Sequence, residues 1–132
     1  MIMSSNIIEI NINNAYENLK SMKDAYLIDV RTESEWQSDG IPDTSGLNND
    51  LIKLTITLQG GLENPHFISK IQDLKLSTND HLYFICRSGV RSAVAAQKLS
   101  FLGYKNLYNI MGGFSFGWLD HKYPYKKNFI PN

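Results

Sequence analysis

The run His81-Leu-Tyr-Phe-Ile85 constrains this chain more than any other segment. It is apolar almost without interruption, the pattern of a strand covered on both faces, as in the interior of a parallel sheet. Such a strand needs parallel neighbours on its edges and helices above and below it, and the rest of the sequence offers both. Residues 7–12 form a short apolar alternation, Ala25-Tyr-Leu-Ile-Asp-Val30 is a β-rich run, and residues 107–110 form another. Helical patterns lie between them. Ala15, Leu19 and Met22 follow Asn13 and Asn14 as N-cap candidates, and the polar stretch 32–37 begins a helix capped by Thr32 or Ser34. Pro65 suits the first turn of a helix reaching about Leu74, with Phe67, Ile71 and Leu74 on one face. A last pattern from about Arg91 carries Ala95, Leu99 and Leu102 at i, i+4 and i+7, with Gly103 placed to stop it. Residues 43–50 read as turns, and 51–58 as loop plus strand. Strands alternating with helices predict an α/β fold with a parallel sheet and helices on both faces, whose sites gather at the carboxyl ends of the strands.

The chain of 132 residues is the size of one domain, expected as a core of about 7–122 and an irregular tail over 123–132. Thirteen Lys and Arg balance thirteen Asp and Glu, so no global field draws the protein to nucleic acid or to an anionic membrane surface. The first six residues lack the positive charge and apolar run of a signal peptide, and no segment approaches the ~18 apolar residues of a membrane helix. A single cysteine, Cys86, precludes an internal disulfide and fits a reducing, cytoplasmic setting. His66, His81 and His121 are far apart, with no ligand spacing for zinc, and read as surface or loop residues.

Cys86 follows the buried run directly, and Arg87-Ser-Gly-Val-Arg91 then leads into a helix start. A free thiol titrates near ~8.5, and a helix N-terminus with nearby cations stabilises its thiolate, which is the reactive nucleophile. Gly89 permits a turn in which successive N–H groups point inward as an anion-binding nest, with Arg87 and Arg91 adding positive charge at the rim. The bland alternative is an inert buried cysteine with ordinary surface arginines. Loop length narrows the chemistry. Cysteine phosphatases use Cys-x5-Arg, whereas here the spacing from Cys86 to Arg91 is Cys-x4-Arg and the phosphatase position holds Ser92. The smaller cradle suits one extra sulfur atom on the cysteine better than a tetrahedral oxyanion.

These residues resemble the rhodanese family of sulfurtransferases in its single-domain form. Leu27-Ile-Asp-Val-Arg31, Glu35-Trp36 and Gly40-Ile-Pro42 are similar to the family's first motif block, and Cys86-Arg-Ser-Gly-Val-Arg91 to its active-site loop. Gly112-Gly113-Phe114 followed by Trp118 is similar to its closing Gly-Gly turn and final helix. The resemblance implies a sheet of about five parallel strands and a ping-pong reaction through a cysteine persulfide. Cys86 would take a sulfane sulfur from thiosulfate or a persulfide and pass it to cyanide or a thiol, of a small molecule or a protein, with no cofactor and no metal. The N–H groups of residues 87–91 would hold the persulfide. Asp29 and Arg31 are expected at the end of a neighbouring strand, where a carboxylate could orient a loop arginine or form a structural ion pair. Glu35 and Trp36 are expected as scaffold.

Two departures stand out. Two-domain thiosulfate enzymes of the family carry Cys-Arg-Lys-Gly-Val-Thr, so Ser88 replaces the lysine here and Arg91 the threonine, which displaces the group that would grip a sulfonate. Where many members read Gly-His-Ile-Pro, this chain has Gly40-Ile-Pro42; no base is lost, because a formed thiolate needs none. The competing readings are a non-catalytic rhodanese-like binding module, which often lacks the cysteine, and a cysteine phosphatase or arsenate reductase, which the short loop disfavours.

Overall fold

A computed structural model describes residues 6–128. The expectations for the first five residues and for the end of the tail lie outside them. Five parallel strands form the central sheet: β1 (Ile7–Ile10), β2 (Ala25–Asp29), β4 (Ile52–Lys53), β5 (His81–Ile85) and β6 (Asn106–Ile110), in the spatial order β1-β6-β5-β2-β4. The apolar run is thus central, paired along β2 from Ala25↔His81 to Asp29↔Ile85 and along β6 from His81↔Asn106 to Phe84↔Asn109.

Period-two alternation divides β5 between two cores. Leu82, Phe84 and Cys86 share one with Ile28, Val30 and Leu107, covered by α3 (Phe67–Asp73) and α4 (Val90–Ser100) through Phe67, Ile71, Ala95, Ala96 and Leu99. Tyr83 and Ile85 belong to the other, with Leu27 and Ile110, beneath α1 (Ile12–Ser21) and the closing helix Gly113–Leu119. A strand whose two faces are both buried has no place for an alternating polar residue, which explains the unbroken apolar sequence. Among the described residues no helix is long and apolar enough to cross a membrane.

Several local expectations need correction. The N-cap of α1 is Asn11, whose side chain accepts the Asn14 N–H at 2.8 Å, because β1 ends at Ile10 and Asn13 and Asn14 are already helical. Of residues 51–58 only two form a strand in the sheet. Leu74 and Leu102 lie beyond the ends of their helices and are exposed, so they are not part of the apolar faces. His81 is no loop residue: it opens β5 and pairs through Nδ1 with the Tyr108 hydroxyl at 2.9 Å. The C-terminal segment is partly regular. Tyr125–Lys126 (β7) pairs antiparallel with Ile41–Pro42 (β3), and the Trp118 indole N–H donates to the Pro124 carbonyl at 2.6 Å. The tail is therefore fastened to the turn after α2 (Glu33–Asp39).

Truncating the buried centre of β5 by Phe84→Ala is expected to lower unfolding free energy by about 3–5 kcal/mol, measured by denaturant titration.

Candidate active site

The site begins where β5 stops. Cys86 is the next residue, continues the alternation toward the α4 face and is 1% exposed. Gly89, at φ +116°, turns the chain into α4 and directs its own N–H onto Cys86 Sγ at 3.0 Å. That donor and the head of α4 bring positive potential to the sulfur. Of the loop N–H groups expected to gather there, this is the one hydrogen-bonded to the sulfur among the described residues.

The Gly-Gly turn braces the loop from below. Phe114 N–H donates to the Cys86 carbonyl at 2.7 Å and Ser115 N–H to the Arg87 carbonyl at 3.1 Å. Gly113 sits at φ +59°, and a Cβ there would lie 2.6 Å from the Arg87 carbonyl oxygen, so only glycine permits this approach.

The two arginines differ. Arg87 is exposed, and its guanidinium has no partner among the described residues. Arg91 instead makes a two-pronged pair with Glu35, Nη1 to Oε1 at 2.6 Å and Nη2 to Oε2 at 2.8 Å. Burial alone would raise the Glu35 carboxyl, but the Arg91 hydrogen bonds, the Thr32 amide and the Arg91 charge outweigh it and hold Glu35 at about 2. The same carboxylate completes the capping box of α2, accepting Thr32 N–H at 3.0 Å while Thr32 Oγ1 accepts Glu35 N–H at 3.2 Å. Thr32, one of the two expected caps, thus positions Glu35 to face the loop. Glu35, expected as scaffold, is the carboxylate that orients a loop arginine.

Among the described residues, neither Asp29 nor Arg31 hydrogen-bonds or ion-pairs with a loop arginine. They pair with each other, fully buried, Arg31 Nη2 to Asp29 Oδ2 at 2.8 Å, because Asp29 ends β2, Arg31 follows two residues on, and their side chains turn into the same interior. Arg31 also donates to the Gly40 carbonyl at 2.8 Å and lies 4.0 Å from the centre of the Phe114 ring. The structural alternative is what the fold adopts. Ser88 is exposed and Val90 projects at 72% exposure beside a shallow cleft also lined by Ile56, Thr57 and Val94.

Ser92, which touches the sulfur, and Asn109 and Glu9, which are chained to it by hydrogen bonds, are not among the site residues the sequence points to. Ser92 Oγ lies 3.2 Å from Cys86 Sγ and 2.5 Å from Asn109 Oδ1, and Asn109 Nδ2 bonds the Gly89 carbonyl at 3.0 Å and the Glu9 carboxylate. An asparagine inside an apolar strand pattern is the one signal that could have pointed to them.

Residues 13–120 match the profile of the Rhodanese-like domain. The chain belongs to the rhodanese-like family. An uncharacterized protein of Rickettsia conorii is 38% identical over 117 residues, which cover 85% of this chain and 91% of that protein. Thiosulfate sulfurtransferase 18 of Arabidopsis thaliana is 34% identical over 97 residues, 74% of this chain and 68% of that protein. The crystal structure of Rv0390 from M. tuberculosis superposes with a TM-score of 0.81 at 28% identity, covering 91% of this chain and 97% of that one. The rhodanese-like fold explains the placement of Cys86 at the carboxyl end of the central strand, where α4 and the Gly-Gly turn converge.

Glu35→Gln should lower the melting temperature at neutral pH. The Glu35 value is depressed in the fold, so its contribution is complete above about 4.5 and is lost as pH falls toward about 2. Melting curves of native protein and variant are therefore expected to converge across that interval.

Proposed function

We propose that this rhodanese-like domain is a sulfurtransferase whose Cys86 carries a sulfane sulfur as a persulfide. The observation that carries the reading is the Cys86 sulfur at the head of α4, facing the Gly89 N–H from within a six-residue loop. Family membership and the likeness to a thiosulfate sulfurtransferase support it. The thiolate attacks the outer sulfur of thiosulfate or of a persulfide, expelling sulfite or a thiolate. An acceptor, cyanide or a thiol of a small molecule or protein, then removes that sulfur and regenerates Cys86. The chain has no second cysteine, so the sulfur leaves to an outside acceptor. Neither half-reaction needs a cofactor, and the balanced charge of the chain fits a small or protein partner of the cytoplasm better than nucleic acid or membrane.

The Arg91–Glu35 pair weighs against the phosphatase reading, because an arginine already holding a carboxylate on two prongs is not free for a phosphate. The burial of Cys86 favours a second reading, a binding module whose cysteine does not turn over.

The deciding experiment is the intact mass of reduced protein before and after a sulfur donor, then after cyanide. Native protein should gain one sulfur atom that cyanide removes, and Cys86→Ser should gain none. A folded native protein that loads from neither thiosulfate nor a small persulfide sinks the enzyme reading and leaves the binding module. Arg87 is the loop cation without a partner among the described residues, so Arg87→Ala should raise KM for thiosulfate severalfold while leaving the melting temperature unchanged. Steady-state thiocyanate formation checks this.

A further inference from the structure

The Ser92 hydroxyl sits between two acceptors and has one proton to give. Its position follows from the fold. Ser92 is the third residue of α4, and Cα–Cβ bonds tilt toward a helix N-terminus, so the hydroxyl is aimed back at the end of β5. Asn109, on the adjacent strand β6, is held in one orientation. Both hydrogens of its Nδ2 are committed, one to the Gly89 carbonyl at 3.0 Å and the other to the Glu9 carboxylate at 3.0–3.1 Å. Its Oδ1 therefore faces Ser92 as a pure acceptor, at 2.5 Å, with Cys86 Sγ on the other side at 3.2 Å. Ser92 is fully buried and Asn109 is 3% exposed, so the contest for this proton takes place inside the protein.

The sulfur changes charge through a transfer cycle in a way Asn109 does not. Resting on the sulfur-transfer reading above, we infer that Ser92 is a catalytic residue whose hydroxyl donates to Cys86 Sγ whenever that atom is anionic and turns to Asn109 Oδ1 when it is not. As nucleophile, Sγ carries a full negative charge, and a charge-assisted hydrogen bond outcompetes a neutral amide oxygen. Once the persulfide forms, Sγ is a neutral bridging atom, the charge lies on the outer sulfur, and the hydroxyl proton returns to Asn109. In the discharge step the acceptor bonds to the outer sulfur, the S–S bond breaks with its electron pair going to Sγ, and the Ser92 proton swings back to the new thiolate. With cyanide, the persulfide anion and cyanide give thiocyanate and the Cys86 thiolate, so atoms and charge balance. No proton leaves Ser92. Asn109 serves as the parking acceptor that keeps the hydroxyl hydrogen-bonded while the sulfur is uncharged, avoiding a buried unpaired donor. Stabilisation thus falls where charge develops on the leaving sulfur and is absent from the persulfide, which is what accelerates the step.

A merely structural role would make Ser92 and Asn109 a brace between α4 and β6, and two substitutions separate the ideas. Ser92→Ala removes the hydroxyl; Asn109→Leu removes the competing acceptor and the bond to the Gly89 carbonyl but leaves the hydroxyl on the sulfur. Discharge of the loaded protein by cyanide is followed by quenched-flow mass measurement, alongside alkylation of the reduced protein by iodoacetamide and a thermal melt of each variant. The expectation is a discharge slowed tenfold or more and an alkylation slowed threefold or more in Ser92→Ala, with Asn109→Leu, which also loosens the Gly89 turn, losing less than Ser92→Ala in both. Native rates in a folded Ser92→Ala overturn the inference, and so does an Asn109→Leu variant as slow as Ser92→Ala, since both would then report a lost brace. Should Ser92→Ala not fold, Asn109→Leu decides alone: a discharge tenfold or more below native overturns the inference, and a smaller loss upholds it. If native protein takes up no sulfur, the sulfur-transfer reading fails by itself, and the alkylation rates still decide whether the hydroxyl serves the Cys86 thiolate.

Discussion

Burial of β5 on both faces and both edges is the constraint on which the rest of the molecule depends. All five of its residues pair with β2 on one side and the first four with β6 on the other, and its side chains alternate between two separate cores. Four helices complete that enclosure: α3 and α4 on one face, α1 and the closing helix on the other. Cys86 is the first residue past the strand, so it inherits the strand's depth and direction. A nucleophile set by the end of the most buried strand has little freedom to wander, and such positional restraint is worth more to a reacting atom than added contacts would be.

Around that fixed point the loop is held from three directions. The Gly-Gly turn closes on its carbonyls, Asn109 and Ser92 meet it from β6 and α4, and Glu35 holds Arg91 from α2. Glu35 links helix capping to the site, because the side chain that completes the α2 capping box is also the counter-charge of the loop arginine. The buried Asp29–Arg31 pair serves another part of the structure. By reaching the Gly40 carbonyl and the Phe114 ring it ties the end of β2 to the turn before β3 and to the closing helix. A buried ion pair is a costly way to gain stability, but its directional bonds fix the mutual placement of three chain segments.

Much of this was legible in the residues. The apolar run, the alternation of strands and helices and the Thr32 cap each rest on local chemistry, and each appears where its pattern stands, whereas α4 stops at Ser100, three residues short of Gly103. What misled were positions where two local signals competed. Asn11, Asn13 and Asn14 are all capable N-caps, and only the end of β1 selects the first. Leu74 and Leu102 fit an apolar period that runs past the helix end. Tyr125 and Lys126 form a strand because Ile41 and Pro42 offer an edge, with partners 83 and 85 residues away in register that no local pattern announces.

The sequence by itself determined the parallel α/β architecture and the position of a lone thiol between a buried strand and a helix start, since period and punctuation are properties of neighbouring residues. Only the tertiary structure decided which charges and hydroxyls meet that thiol. Glu35 and Arg91 are 56 residues apart, Ser92 and Asn109 17 apart, and Glu9 and Asn109 100 apart. Their meetings are made by the strand order and by the helices packed across it, and hydrogen bonds a few ångströms long cannot be read from a chain before the sheet has placed its strands side by side.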